Sequence, residues 1–117
     1  MHEASIAESI LKVAESELAE RKLSGMVDRV LVRIGRFHAV IPEMLSFHFD
    51  ILKKERMPFK EAELAIEEVP LVVRCESCGR RSELEEPVFL CLACGKSVAI
   101  ETGQEMFVER ISIKEEE

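Results

Sequence analysis

The chain of 117 residues has no tryptophan and no tyrosine, and its aromatic content is six phenylalanines. Such a set supplies core but little stacking or interface-anchor material. No apolar run approaches the roughly 20 residues that a membrane-spanning helix requires. The opening Met1-His2-Glu3-Ala4-Ser5 lacks the basic segment and apolar core of a secretory signal, so a cytoplasmic protein is expected, with no membrane as partner. Excess positive charge is missing too, since 16 basic residues stand against 23 acidic ones for a net of −7. A negative surface repels phosphate backbones, which argues against a nucleic-acid partner. There is no GxxxxGK[ST] loop, no HExxH and no Ser/His/Asp order that can be read. Nucleotide hydrolysis by the chain itself is therefore not expected.

What is present is a repeated cysteine pair. Cys75-Glu76-Ser77-Cys78 and Cys91-Leu92-Ala93-Cys94 are separated by 12 residues. Each pair can form a knuckle that turns two thiolates toward one point, and the intervening length allows a hairpin to set the second knuckle opposite the first. Zn(II) has no geometric preference of its own and accepts four thiolates in a tetrahedron. Gly79 and Gly95 each follow a second cysteine, where positive φ lets backbone N–H groups turn toward sulfur. Two disulfides would conflict with a reducing compartment, and a redox CxxC needs no second copy. Rubredoxin-like iron uses the same four thiolates and stays open on spacing alone.

The segment 71–102 has few large apolar residues and is not expected to fold on burial alone; structural zinc supplies about 10–16 kcal/mol in small peptides near neutral pH. A closed four-cysteine set leaves no position for water, so its expected role is structural. As a nucleic-acid-binding ribbon the segment would need a basic face. Instead Arg74, Arg80, Arg81 and Lys96 are outnumbered by Glu76, Glu83, Glu85, Glu86 and Glu101.

Around the module the periodicity is plain. Ile6, Ala7, Ile10, Leu11, Ala14 and Leu18 recur at helical spacing from Glu3 to about Leu23, with Ser24-Gly25 as the expected stop. Val30, Val32 and Ile34 alternate with Arg29, Leu31 and Arg33, which predicts a strand closed by Gly35. Pro42 suits the first turn of a second helix that places Met44, Leu45, Phe49 and Leu52 on one face and ends before Pro58. Residues 63–67 alternate again, and Pro70 separates them from the module as a hinge. The final strand, 106–113, slips in its alternation between Val108 and Ile111, which predicts either a bulge or inward placement of Phe107, Ile111 and Ile113. The expected class is α+β: two helices packed on a small three-stranded sheet, with an inserted zinc-ribbon-like four-cysteine module. The expected units are 1–70 plus 103–117, and 71–102.

His2 has a chemistry of its own. A free α-amine on Met1, the His2 backbone nitrogen and the His2 ring Nδ1 can chelate one ion in a planar set, an arrangement that favours Ni(II) or Cu(II). Taken by itself, His2 reads as an ordinary polar residue, and Glu3 as an anion at a helix N-terminus. His38 reads as a surface residue and His48 as a partly buried structural one.

Taken together, Met1-His2-Glu3, a helix, a strand ending in Gly35, the run Val40-Ile41-Pro42-Glu43-Met44-Leu45-Ser46-Phe47-His48-Phe49 and the CxxC-x12-CxxC insertion resemble one family along nearly the whole chain. It is the HypA nickel metallochaperones of [NiFe]-hydrogenase maturation. The resemblance implies a nickel-binding α/β domain with ligands at Met1 through its amine, His2 and Glu3, and a zinc domain held by Cys75, Cys78, Cys91 and Cys94. It implies that Ni(II) is cargo and Zn(II) structural, with a HypB-type GTPase as partner. Hydrogenase large subunit, reached directly or through other factors, and urease accessory proteins are the implied clients of a monomer or homodimer. Arg36 departs from the family, where an acidic residue commonly follows the strand-ending glycine. The competing reading from the residues is a zinc-ribbon module that binds protein or nucleic acid.

Overall fold

The computed structural model describes residues 3–86 and 88–114. Helix α1 spans Glu3–Glu20 and buries Ile6, Ala7, Ile10, Leu11, Ala14 and Leu18, the apolar stripe expected from their spacing. It stops earlier than Ser24-Gly25. Lys22 takes the left-handed conformation (φ 53°) and the Leu23 N–H donates to the Leu18 carbonyl, closing the last turn. Strand β1 covers Val27–Gly35, helix α2 Pro42–Leu52 and strand β2 Glu63–Val69. After α2 the chain passes through two short 3-10 turns, Lys53–Glu55 and Met57–Phe59, the second of which buries Phe59. Strands β3 (Leu71–Cys75), β4 (Arg81–Leu84), β5 (Val98–Thr102) and β6 (Met106–Ile113) follow.

The six strands form two three-stranded sheets, ordered β2-β1-β6 and β4-β3-β5. In the first, β1 is central, parallel to β2 through the α2 crossover and antiparallel to β6. Its inward residues Val27, Val30, Val32 and Ile34 are buried under the helices with Leu45, Phe49, Phe59 and Ala62. The class is α+β as expected, and the three-stranded sheet under two helices has the predicted members. In the second sheet, Leu71, Val73 and Leu84 form a separate small cluster backed by Phe89, Val98 and Ile100. The molecule is elongated, 58 × 25 × 22 Å.

The slip in β6 is a bulge. Leu31 pairs with Arg110 and Val32 with Val108, which leaves Glu109 without a partner in β1. Met106, Val108, Ile111 and Ile113 thereby all pack on the core, whereas Phe107 stays 49% exposed, so its inward placement is not realised. Met44 also departs from expectation. It stands one residue before Leu45, about 100° round the helix from the buried Leu45/Phe49 face, and is exposed.

The two sheets meet where Gly35, at the end of β1, faces Gly103, just after β5. A β-carbon on Gly35 would lie 1.8 Å from the Gly103 carbonyl oxygen. The Gly35 N–H donates to the Glu105 carbonyl (2.7 Å) and the Phe37 N–H to the Gly103 carbonyl (3.0 Å). Gly103 has φ 113°, and a β-carbon there would stand 2.8 Å from Leu71 Cα. Between the crossing strands, Thr102 Oγ1 donates to the Pro70 carbonyl at 2.8 Å.

Candidate metal centre

The two CxxC pairs fold identically. Cys75 N–H donates to the Arg80 carbonyl (2.9 Å) and Gly79 N–H to the Cys75 carbonyl (2.8 Å). In the second knuckle, Cys91 N–H donates to the Lys96 carbonyl (2.7 Å) and Gly95 N–H to the Cys91 carbonyl (2.9 Å). Gly79 (φ 79°) and Gly95 (φ 75°) occupy the same left-handed position in each turn. The first knuckle joins β3 to β4. The second stands at the base of a bridge between Leu90 and Ser97 that leads into β5.

All four Sγ atoms lie within 4.8 Å of one another. Cys75 Sγ and Cys94 Sγ are 3.5 Å apart, and Cys78 Sγ and Cys91 Sγ 3.6 Å. A disulfide needs about 2.05 Å, so these are free thiols. Tetrahedral Zn–S bonds of about 2.3 Å require sulfurs about 3.8 Å apart, a separation the observed range brackets. The donor set therefore fits Zn(II), with Cys75 and Cys91 buried and Cys78 and Cys94 on the outer side.

Backbone dipoles prepare the sulfurs for a cation. The N–H groups of Cys94 and Ala93 hold the Cys91 thiol down to about 6. The Cys78 N–H likewise lowers Cys75. In the outer pair, the Lys96 N–H favours the Cys94 thiolate, but the hydrogen bond with Cys75 Sγ and burial push it up to about 11. Cys78 behaves the same way, with the Arg80 N–H opposed by Cys75 and Cys91 and the balance upward. In each knuckle the inner thiol is thus shifted toward the charged form that binds a cation and the outer one away from it.

The other candidate ligands are dispersed. Met1 and His2 lie outside the described residues. Glu3 opens α1, and its Oε2 accepts from the Ile41 N–H at 3.5 Å, which sets it at the start of α2. His48 is half-buried on α2 beside Phe47, in line with a structural role. His38 is not simply a surface residue: its Nε2 lies 2.8 Å from the Gln104 carbonyl, just past the module.

That contact belongs to a junction that periodicity could not reveal. Arg36 Nη1 stands 3.7 Å from Glu83 Oε1 in β4, and the Phe37 and Phe89 ring centroids are 6.1 Å apart. Glu105 Oε1 accepts from the Gly103 N–H at 2.7 Å, and that bond holds its carboxyl below the ordinary value. The β1 end and the following turn thus hold the cysteine module through Arg36, Phe37 and His38. The only signal for this in the chain was Gly35, read as a strand end.

A family model described as "Hydrogenase/urease nickel incorporation, metallochaperone, hypA" matches residues 1–113. Among curated relatives, the hydrogenase maturation factor HypA of Desulfosudis oleivorans is 37% identical over 116 residues, covering 98% of this chain and 100% of that one. That of Aquifex aeolicus is 36% identical over 115 residues, covering 97% and 98%. The solution structure of the Ni metallochaperone HypA from Helicobacter pylori has the same fold, with a TM-score of 0.69 at 24% identity over 99% of this chain and 100% of that one.

Proposed function

This chain belongs to the HypA family of hydrogenase/urease nickel-incorporation metallochaperones, and from that premise we propose that it takes up Ni(II) at Met1, His2 and Glu3 and hands it on during hydrogenase maturation. The observation that carries this reading is the family match, which begins at residue 1 and so includes Met-His-Glu. The α-amine of Met1, the backbone nitrogen of His2 and its ring Nδ1 close a five- and a six-membered chelate ring in one plane, the geometry preferred by Ni(II). Glu3, at the head of α1, stands next in line as a carboxylate donor. Nickel held by a chain end can be passed on without opening a core.

In this reading the zinc held by Cys75, Cys78, Cys91 and Cys94 is structural and never leaves. The units are 1–70 plus 103–117 for nickel and 71–102 for zinc. The chain performs no catalysis and works in the cytoplasm. Nucleotide chemistry comes from a HypB-type GTPase, and the recipients are hydrogenase large subunit and, as a second client, urease accessory proteins. An exposed apolar stripe, from Ile41 just before α2 through Met44, Phe47 and Ile51 on it, begins at the residue that contacts Glu3 and supports docking of a partner beside the nickel end. Among the described residues no helix is long and apolar enough to cross a membrane.

Calorimetric titration of Ni(II) into protein with a free Met1 amine tests the reading. His2→Ala, or acetylation of the amine, is expected to abolish the nickel site while zinc content stays unchanged. Equal nickel affinity in wild type and His2→Ala overturns it.

A further inference from the structure

The four cysteines divide by exposure as well as by knuckle. Cys78 and Cys94 are exposed, whereas Cys75 and Cys91 are buried. Each outer sulfur is hydrogen-bonded to the inner sulfur of the opposite knuckle, Cys94 to Cys75 at 3.5 Å and Cys78 to Cys91 at 3.6 Å. A dissolved oxidant therefore meets the outer member of each pair first, and the buried member stands within reach of the sulfur that has reacted.

The two pairs are nested, 75 with 94 around 78 with 91, like rungs of a hairpin, so both can become covalent at once. Each distance has to close by about 1.5 Å to reach the 2.05 Å of a disulfide. The outer cysteines can make that move because each is followed by a glycine, Gly79 or Gly95, around which a β-carbon would meet nothing within 4 Å. Bonds between the knuckles would span 19 and 13 residues, against three for a bond inside one knuckle. The wider loops remove more freedom from the unfolded chain. Only these bonds tie one knuckle to the other, as the metal does.

From these relations we propose that the cysteine cluster is a modification site for hydrogen peroxide, which joins Cys75 to Cys94 and Cys78 to Cys91 and displaces the zinc while the module stays folded. The inference rests on the zinc reading above. It adds an oxidised form, outside the nickel cycle, in which two disulfides take the place of the cation.

The chemistry balances with peroxide as the oxidant. A metal-bound thiol is deprotonated. The Cys94 thiolate attacks peroxide: an S–O bond forms, the O–O bond breaks and hydroxide leaves, so Cys94 becomes a sulfenic acid. The Cys75 thiolate attacks that sulfur; the S–S bond forms and a second hydroxide leaves. The two sulfurs have lost two electrons and the peroxide has gained them. Cys78 and Cys91 repeat the steps with a second peroxide, after which no thiolate remains to hold a cation. In a reducing compartment such disulfides are transient, and a dithiol reductant with Zn(II) restores the starting form.

Peroxide titration of the zinc-loaded full chain tests this, with a chromogenic chelator reporting free zinc. Release is expected to be complete at about two peroxides per chain. After thiol blocking and denaturation, trypsin cuts behind Arg74, Arg80, Arg81 and Lys96 and yields peptides 75–80 and 82–96, each with one CxxC. Disulfides between knuckles leave the two peptides linked, with fragment masses that show 75–94 and 78–91. Amide NMR spectra of the oxidised, zinc-free chain are expected to keep the dispersion of Val73 and Leu84, which the reduced, zinc-free chain loses. Zinc retained under excess peroxide, unlinked peptides, a 75–91 and 78–94 pairing, or lost dispersion in the oxidised chain overturns the proposal and leaves the zinc reading standing. A chain that holds no zinc before peroxide is added overturns both.

Discussion

Gly35 and Gly103 are in backbone contact: the α-carbon of one faces the carbonyl of the other with no room for a methyl group between them. Around this point the Gly35–Glu105 and Phe37–Gly103 hydrogen bonds tie the end of β1 to the segment leaving the cysteine module. A glycine that closes a strand in sequence serves in space as the seat of the module.

Gly35→Ala is therefore expected to destabilise the protein by about 1–3 kcal/mol, the range for forcing a side chain into closed space. The obstacle is main chain and cannot rotate away. Urea denaturation of the zinc-loaded protein measures the loss, and zinc content is expected to stay at one per chain.

The knuckle glycines offer a contrast. A β-carbon on Gly79 or Gly95 meets nothing within 4 Å, so Ala at either position carries only the strain of a left-handed backbone, about 1–2 kcal/mol. Because folding of this segment is linked to the metal, that strain is expected as a fall in zinc affinity of about tenfold. Competition with a chromogenic chelator reads it directly.

Removing zinc, or changing Cys91 to Ser, is expected to unfold residues 71–102 while leaving α1, α2 and the β2-β1-β6 sheet in place. The two buried clusters share no residue. Amide NMR spectra are expected to lose dispersion for the module and keep it for Val30, Val32 and Phe49. Collapse of both sets together contradicts the expectation.

Arg56 binds two carboxylates of α1 from the turn after α2, Glu8 through Nη2 (2.5 Å) and Glu15 through Nε (2.7 Å). The hydrogen bond from Arg56 holds the Glu8 carboxyl below its ordinary value. A carboxyl lowered by folding contributes its stabilisation in full above the unfolded pKa, near 4.3, and loses it as pH falls through the lowered folded value. Glu8→Gln is thus expected to be less stable than wild type at neutral pH, with the gap closing under acid. Urea melts followed through the helical signal, at neutral pH and at pH below the carboxylate range, check both sign and window.

Where a residue's role depends on its chain neighbours, the sequence was readable. Val30, Val32 and Ile34 declared a buried strand face by alternation, and the interrupted alternation from Val108 to Ile111 already held the bulge. The thiolate cluster followed from spacing, since each knuckle is local and only their apposition is long-range. Met44 was misplaced because a single residue step turns a helix by 100°, enough to move a side chain from the core to solvent. The contacts of His38 with Gln104 and of Arg56 with Glu8 span 66 and 48 residues. Nothing local distinguishes such a histidine or arginine from a solvated one until the fold closes.

The hydrogen bond from Thr102 to the Pro70 carbonyl pins together the two places where the chain departs for the module and returns. Residues 71–102 are thus a loop closed at its base. Without metal that loop becomes a floppy circle, and holding its ends together costs about 2 kcal/mol more than holding a tight turn. The helical layer would then carry an entropic load that zinc normally removes. Release of zinc is felt by the core through chain connectivity as well as through the Arg36 and Phe37 contacts, across two clusters that share no buried side chain.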